Sequence, residues 1–233
     1  MKDIINYRGR AIEIVQDSDP QNPRKEFDHE GTKMVCFHNR YNLGDVNGRK
    51  EYGSGEDFIR ALAGDFTSED VGELALTACQ KLVEDNLVIL PLYLYDHSGI
   101  TMSVAPFSCP WDSGQVGWIY MSHKAAMANW SVKSIDAPVD YKDGKPAKSC
   151  RERAVDLLIG EVAEYDQYLT GDVWGYVVGD DSCWGFYGRE YCEQEAKSVV
   201  DCQLKAELKA KLAKLRGYIV NKVPVCYRQF ATA

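Results

Sequence analysis

Apolar and polar residues alternate in "GRAIEIVQ" (9–16), which predicts a strand with one buried face. "DSDPQNPR" then breaks the pattern with two prolines and turn-forming Asp and Asn. "TKMVCFHNRYNLGD" reads as a second strand running into a turn at Gly44, and "SGEDFIRALAG" as a short helix. In "SEDVGELALTACQKLVEDN", Val71, Leu74, Ala75, Ala78, Leu82 and Val83 recur at helical spacing, with Ser68 as the expected N-cap. "LVILPLYLY" (87–95) and "GQVGWIYMS" (114–122) predict neighbouring antiparallel strands joined by one loop.

"SVKSIDAPVDYKDGKPAK" has two prolines and no periodicity, so an exposed loop is expected there. Ser149 and Glu152 form a capping-box pattern ahead of a helix. Its apolar face is Val155, Leu158, Ile159, Val162, Tyr165 and Leu169. "DVWGYVV" and "CWGFYG" read as aromatic strands. At the end, Leu204, Leu208, Leu212 and Leu215 form one stripe among Lys205, Lys209, Lys211 and Lys214, an amphipathic helix. No βαβ rhythm appears, so the expected class is α+β with a mainly antiparallel sheet and a C-terminal amphipathic helix. The expected division is a core domain over 1–188 and a basic helical segment over 189–233.

Apolar residues at 45% and charged residues at 27% fit a globular protein. "LVILPLYLY" is too short to cross a bilayer, and "MKDIINYRGRAIEIVQDSD" lacks the apolar stretch of a signal peptide. These features predict a cytoplasmic protein without membrane contact. Eight scattered cysteines, with no CxxC pair and no zinc-finger spacing, read as free thiols. The net charge of −8 is uneven: seven Lys/Arg stand against one Glu from Gln203 onward, which leaves 20 basic and 34 acidic side chains in the first 202 residues. Such a body repels nucleic acid and is attracted to basic surfaces, whereas the basic C-terminal helix is the one segment suited to nucleic acid.

The chemistry concentrates between Leu92 and Ser122. Asp96, Ser98 and Gly99 have the residue types of a tight bend, as do Asp112, Ser113 and Gly114. A catalytic arrangement would pair His97 as base with Cys109 as nucleophile and Asp112 as orienter, but no cysteine-protease signature enforces it. Asp96, His97 and Asp112 lack a second histidine at ligand spacing, so no metal is expected. A calcium loop from Asp17 and Asp19 fails because Asn22 stands where glycine is needed. Neither GxxxxGK[ST] nor GxGxxG occurs, so no cofactor is expected. Recognition fits the composition better. Tyr93, Tyr95, Phe107, Trp111 and Trp118 supply rigid anchors, and Asp96, His97, Ser98, Asp112, Ser113 and Gln115 supply orienting polar groups.

The strings "GTKMVCFHNRYNLGD", "LPLYLYDHSGITM", "FSCPWDSGQVGWIY", "EVAEYDQYLTGDVWGYVV" and "CWGFYG" resemble, in order from about Gly31 to Gly188, a family of uncharacterised proteins of bacteriophages and mobile elements. The family carries no assigned activity or catalytic residues. The resemblance implies a context, an accessory protein in the host cell cytoplasm. In that context an inhibitor of a host defence complex, of anti-CRISPR or antirestriction type, is the expected function. The alternative is a protein that binds a nucleotide ligand, or hydrolyses a substrate with Cys109 and His97, through the 92–122 stretch.

Overall fold

The computed structural model describes residues 2–29, 31–142, 145–224 and 227. The chain opens with β1 (Lys2–Tyr7), β2 (Arg10–Gln16), α1 (Pro23–Glu26), β3 (Thr32–Cys36), β4 (Val46–Asn47) and α2 (Gly48–Glu51). Next come α3 (Gly55–Gly64), α4 (Leu76–Asn86), β5 (Leu87–Asp96), β6 (Ile100–Ser103), β7 (Ser113–Ser122) and α5 (His123–Asn129). The remainder is β8 (Pro138–Lys142), β9 (Lys145–Ser149), α6 (Cys150–Thr170), β10 (Val173–Val178), β11 (Asp181–Tyr187) and α7 (Arg189–Lys222). The class is α+β, with sheets that are antiparallel except for the short β3–β4 pair.

Two compact units result: Met1–Asp19 with Asp172–Ala233, and Pro20–Gly171. This grouping departs from a cut between residues 188 and 189. The first part of α7 packs on strands of its own unit, burying Cys192, Ala196 and Val200 against Ile12, Ile14, Trp174 and Tyr176. That unit's sheet has the order β1-β2-β10-β11, so the hairpin at the start of the chain is completed by one from its end.

The unit of residues 20–171 holds a sheet of order β4-β3-β7-β5-β6. Its strands obey the period of two. Met34, Leu92, Leu94, Ile119 and Met121 meet α6 residues Leu158, Val162 and Tyr165 on one face. Val35 and Leu87, with partly buried Trp118 and Tyr120, meet Phe58, Ile59, Leu62 and Val83 of α3 and α4 on the other. Helices on both faces explain why "LVILPLYLY" is apolar throughout although its sheet is antiparallel. Pro91 is tolerated because β6 pairs only with Tyr93–Asp96, so Pro91 has a sheet neighbour on one side alone. At Gly117 a Cβ would lie 2.0 Å from the Val35 carbonyl, so β3 and β7 can approach only there without a side chain.

Several expectations are corrected. The 68–86 helix begins at Leu76, and Ser68 is not its cap. Asp70 instead accepts from Gly72 N (2.9 Å) in a turn, and Arg60 of α3 captures the Val71 and Leu74 carbonyls that a longer helix would use. The expected loop over 131–148 contains the β8–β9 hairpin, whose turn lies outside the described residues. The stretch between β5 and β7 contains β6, so those neighbours are not joined by a plain loop. Ile159 is 42% exposed, although the helix and its Ser149–Glu152 capping box form as expected. The first strand, β1, carried no clear signal. Cys36, Cys79, Cys109, Cys150, Cys183, Cys192 and Cys202 are free thiols, while Cys226 lies outside the described residues. No helix of the described residues is long and apolar enough to cross a membrane.

One buried cation ties the 20–171 unit together. Arg24, 5% exposed, donates from Nε to Asp45 Oδ1 (2.8 Å) and from Nη2 to Asp45 Oδ2, and its Nη1 donates to Glu161 Oε2 (2.5 Å). Burial alone pulls its pKa down, but the two carboxylates hold it above the ordinary value. Removing one partner of such a group leaves charge uncompensated. Arg24→Ala should therefore lower stability in urea unfolding by about 3 kcal/mol, and Arg24→Lys should recover only part, because an ammonium cannot bridge Asp45 bidentately. A loss below about 1 kcal/mol for Arg24→Ala would show that the network is dispensable.

Candidate functional site

A cavity of about 370 Å³ opens beyond the paired ends of β3 and β7. One wall is local to the stretch singled out in the sequence. Tyr95 pairs with Ser113, and Asp96 N donates to Asp112 O (2.9 Å), which holds the two acidic residues level. The chain leaves β5 by a turn in which His97 N donates to Gly99 O (3.0 Å) and Ser98 takes a left-handed φ of 59°. Asp96, Trp111, Asp112, Ser113, Gly114 and Gln115 line this wall.

The opposite wall comes from residues 37–49. Phe37 N donates to Val116 O (2.7 Å), extending the β3–β7 alignment by one bond and delivering His38, Asn39 and Arg40 to the cavity. Arg49 of α2 reaches back through Nε to the Phe37 carbonyl (2.7 Å). A Cβ on Gly48 would lie 2.5 Å from the Phe37 ring, so glycine lets α2 start directly on that ring.

Charge in the cavity is mostly paired. Arg40 Nη2 donates to Asp96 Oδ2, and His38 Nε2 lies 3.8 Å from the same oxygen. His38 Nδ1 accepts from the backbone N–H groups of Arg40 (3.2 Å) and Tyr41 (3.1 Å), which places the proton of the neutral ring on Nε2. The ring stacks on Tyr41 at 5.0 Å. Desolvation lowers the His38 pKa from 6.5, Asp96 opposes this, and Arg40 and Arg49 reinforce it. The Nη atoms of Arg49 have no carboxylate partner among the described residues.

The structure brings five of the seven sequence-predicted binding residues to the cavity: Asp96, Trp111, Asp112, Ser113 and Gln115. His97 is not in its lining but reaches it through Asp112, with Nδ1 3.2 Å from Oδ2, while Ser98 stays in the turn. Trp111 is 89% exposed. Trp118, expected as an anchor, instead packs edge-on to Phe37 at 5.8 Å and against Phe58. The sequence reading missed Phe37, His38, Asn39, Arg40 and Arg49. The first four fall in "FHNRY", inside the segment that reads as a strand running into a turn at Gly44, and nothing in the sequence singles out Arg49.

The triad geometry differs from what nucleophilic catalysis needs. Asp112 touches both groups, at 3.2 Å from His97 Nδ1 and 3.9 Å from Cys109 Sγ. A carboxylate thus stands between imidazole and thiol, where the base should contact the nucleophile directly. Among the described residues, no three or more His, Cys, Asp or Glu are grouped to hold a metal ion. No family model, curated protein or solved structure matches the chain.

The histidine is testable by its titration. A folded-state pKa below the unfolded value means that the unfolded chain takes up the proton first as pH falls. The His38 site therefore costs stability below about pH 6.5 and none well above it. In an NMR titration the His38 midpoint should lie below 6.5. It should fall further in Asp96→Asn and rise in Arg40→Ala. A midpoint above 6.5 in the unmodified protein would contradict the site's electrostatics.

Proposed function

We propose that this is a binding protein rather than an enzyme, and that its cavity face recognises a protein partner. The observation that carries this is Trp111, almost fully exposed at a polar concavity. A large aromatic ring left in water is costly surface unless a partner covers it, and tryptophan and arginine are the residue types that dominate recognition surfaces. Asp96, Asp112, Gln115 and Arg49 surround it with directional polar groups.

The resemblance to bacteriophage and mobile-element proteins supplies the context. The partner in this reading is a component of a host defence system, and the protein inhibits it in the manner of an anti-CRISPR or antirestriction factor. The excess of acidic groups in the first 202 residues supports a target with a basic, nucleic-acid-binding surface.

Expression in strains that each carry one defined CRISPR or restriction system tests this directly. Phage plating should rise in at least one strain. Trp111→Ala should abolish that rise and weaken binding to the same target at least about thirtyfold, with a nearly unchanged melting temperature. No protection in any strain would defeat the inhibitor reading. A marked loss of stability in Trp111→Ala would assign the residue to architecture.

A second reading has its own observation. Arg49, whose Nη atoms have no carboxylate partner among the described residues, lines the cavity with Phe37 and Trp111, and such a fork suits an anionic planar ligand such as a nucleotide. A nucleotide panel should then raise the melting midpoint, and Arg49→Ala should remove the increase.

A further inference from the structure

The later part of α7 leaves an apolar stripe exposed. Leu208, Leu212 and Leu215 are 58%, 47% and 55% exposed, and Ile219 continues their spacing of four, three and four. On a helix of 3.6 residues per turn these four positions fall within about 60° of one another. They also stand roughly 130° away from the face on which Cys192, Ala196 and Val200 are buried. The helix therefore does not simply overrun its own sheet. Past Val200, the sheet-side face turns polar at Glu207, which pairs with Arg10 of β2, and at Lys214 and Asn221. The leucines face elsewhere.

We propose that residues 208–222 dock an acidic amphipathic helix of a partner protein as a short two-stranded coiled coil. A four-three-four stripe this narrow is the seam of a coiled coil, whereas a membrane-surface helix presents a broader apolar face. Cations stand along both sides, Lys205, Lys209 and Arg216 on one and Lys211 and Lys222 on the other. In register with Leu212 and Leu215 as the inward positions, Lys211 and Arg216 would oppose each other in a pair of identical helices. That repulsion disfavours a second copy and selects a partner with Glu or Asp at the flanking positions.

The test uses the full chain and a labelled synthetic peptide of three heptads with Leu at the inward and Glu at the flanking positions. At about 50 mM salt, anisotropy should report saturable one-to-one binding that weakens at least about tenfold at about 500 mM. Leu212→Glu should abolish binding with circular dichroism unchanged, since Leu212 is exposed. A matched peptide with Lys at the flanking positions should not bind. The proposal is overturned if the acidic peptide fails to bind or if Leu212→Glu leaves its binding intact. It is likewise overturned if the chain prefers anionic phospholipid vesicles or duplex DNA to the peptide, or forms a dimer that Leu212→Glu dissolves.

Discussion

The buried guanidinium of Arg24 is the constraint on which the 20–171 unit depends. It sits in a helix of four residues, far too short to hold itself, started by the Asn22 cap and Pro23. Its partners lie on two other segments. Asp45 precedes β4 and also accepts from Met34 N (2.7 Å), while Glu161 on α6 also accepts from Thr32 Oγ1 (2.7 Å). One helical turn along, Tyr165 accepts from Gly44 N (3.0 Å). Tyr165 thus holds the 37–45 loop at Gly44 directly, and Glu161 holds it at Asp45 through Arg24. A charge can be buried here because every strong donor of the fork has a carboxylate opposite it.

That anchoring reaches the cavity by a short physical route. The loop begins at Phe37, bonded to Val116 of β7, and ends at Asp45, bonded to Arg24. Between those points hang His38 and Arg40, and directly after them comes Arg49. The wall supplied by 37–49 is held at both ends, whereas Trp111 opposite it is bound by little. Rigid polar groups facing one exposed aromatic ring suit recognition, where preorganisation reduces the ordering cost of association. Covalent catalysis needs a different order of groups, because Asp112 contacts both His97 and Cys109 where the base should contact the thiol directly.

How much of this the sequence discloses follows from the range of each interaction. The strands β2, β3, β5 and β7, the helix α3 and the capped start of α6 are written in local period and end signals. The cavity wall from Asp96 to Gln115 is also local, because a hairpin turn and two neighbouring strand ends need only nearby residues. The other wall depends on β3 pairing with β7, which sets Cys36 against Gly117, a contact between residues some eighty positions apart. Nothing around His38 announces that pairing. Arg24 is hidden for a related reason: "NPRKEF" looks like a solvated turn, and only the folded chain brings Asp45 and Glu161 to it. The overextended helix at 68–75 has a local cause that periodicity conceals, since Val71 and Leu74 keep helical spacing while Arg60 takes their carbonyls.

The other unit shows the same logic at its largest range. β2 and β10 pair through Val15 opposite Gly175, and Asp17 N donates to Val173 O (2.8 Å) where the chain leaves this sheet and re-enters it. Residues 20–171 are in effect an insertion between two strands of one small sheet. Closing so long a loop costs entropy that grows only slowly with length, so the insertion is tolerable once the inserted unit has its own core. Within this sheet Trp184 lies over Gly175, where a Cβ would sit 2.3 Å from its ring, and the β10–β11 register shifts at that point. A sheet of four short strands has one face to bury, and the first three turns of α7 cover it with Cys192, Ala196 and Val200. Beyond that cover Leu204 still packs against this core and Glu207 pairs with Arg10, but Leu208, Leu212 and Leu215 stay exposed, and this sheet does not account for them.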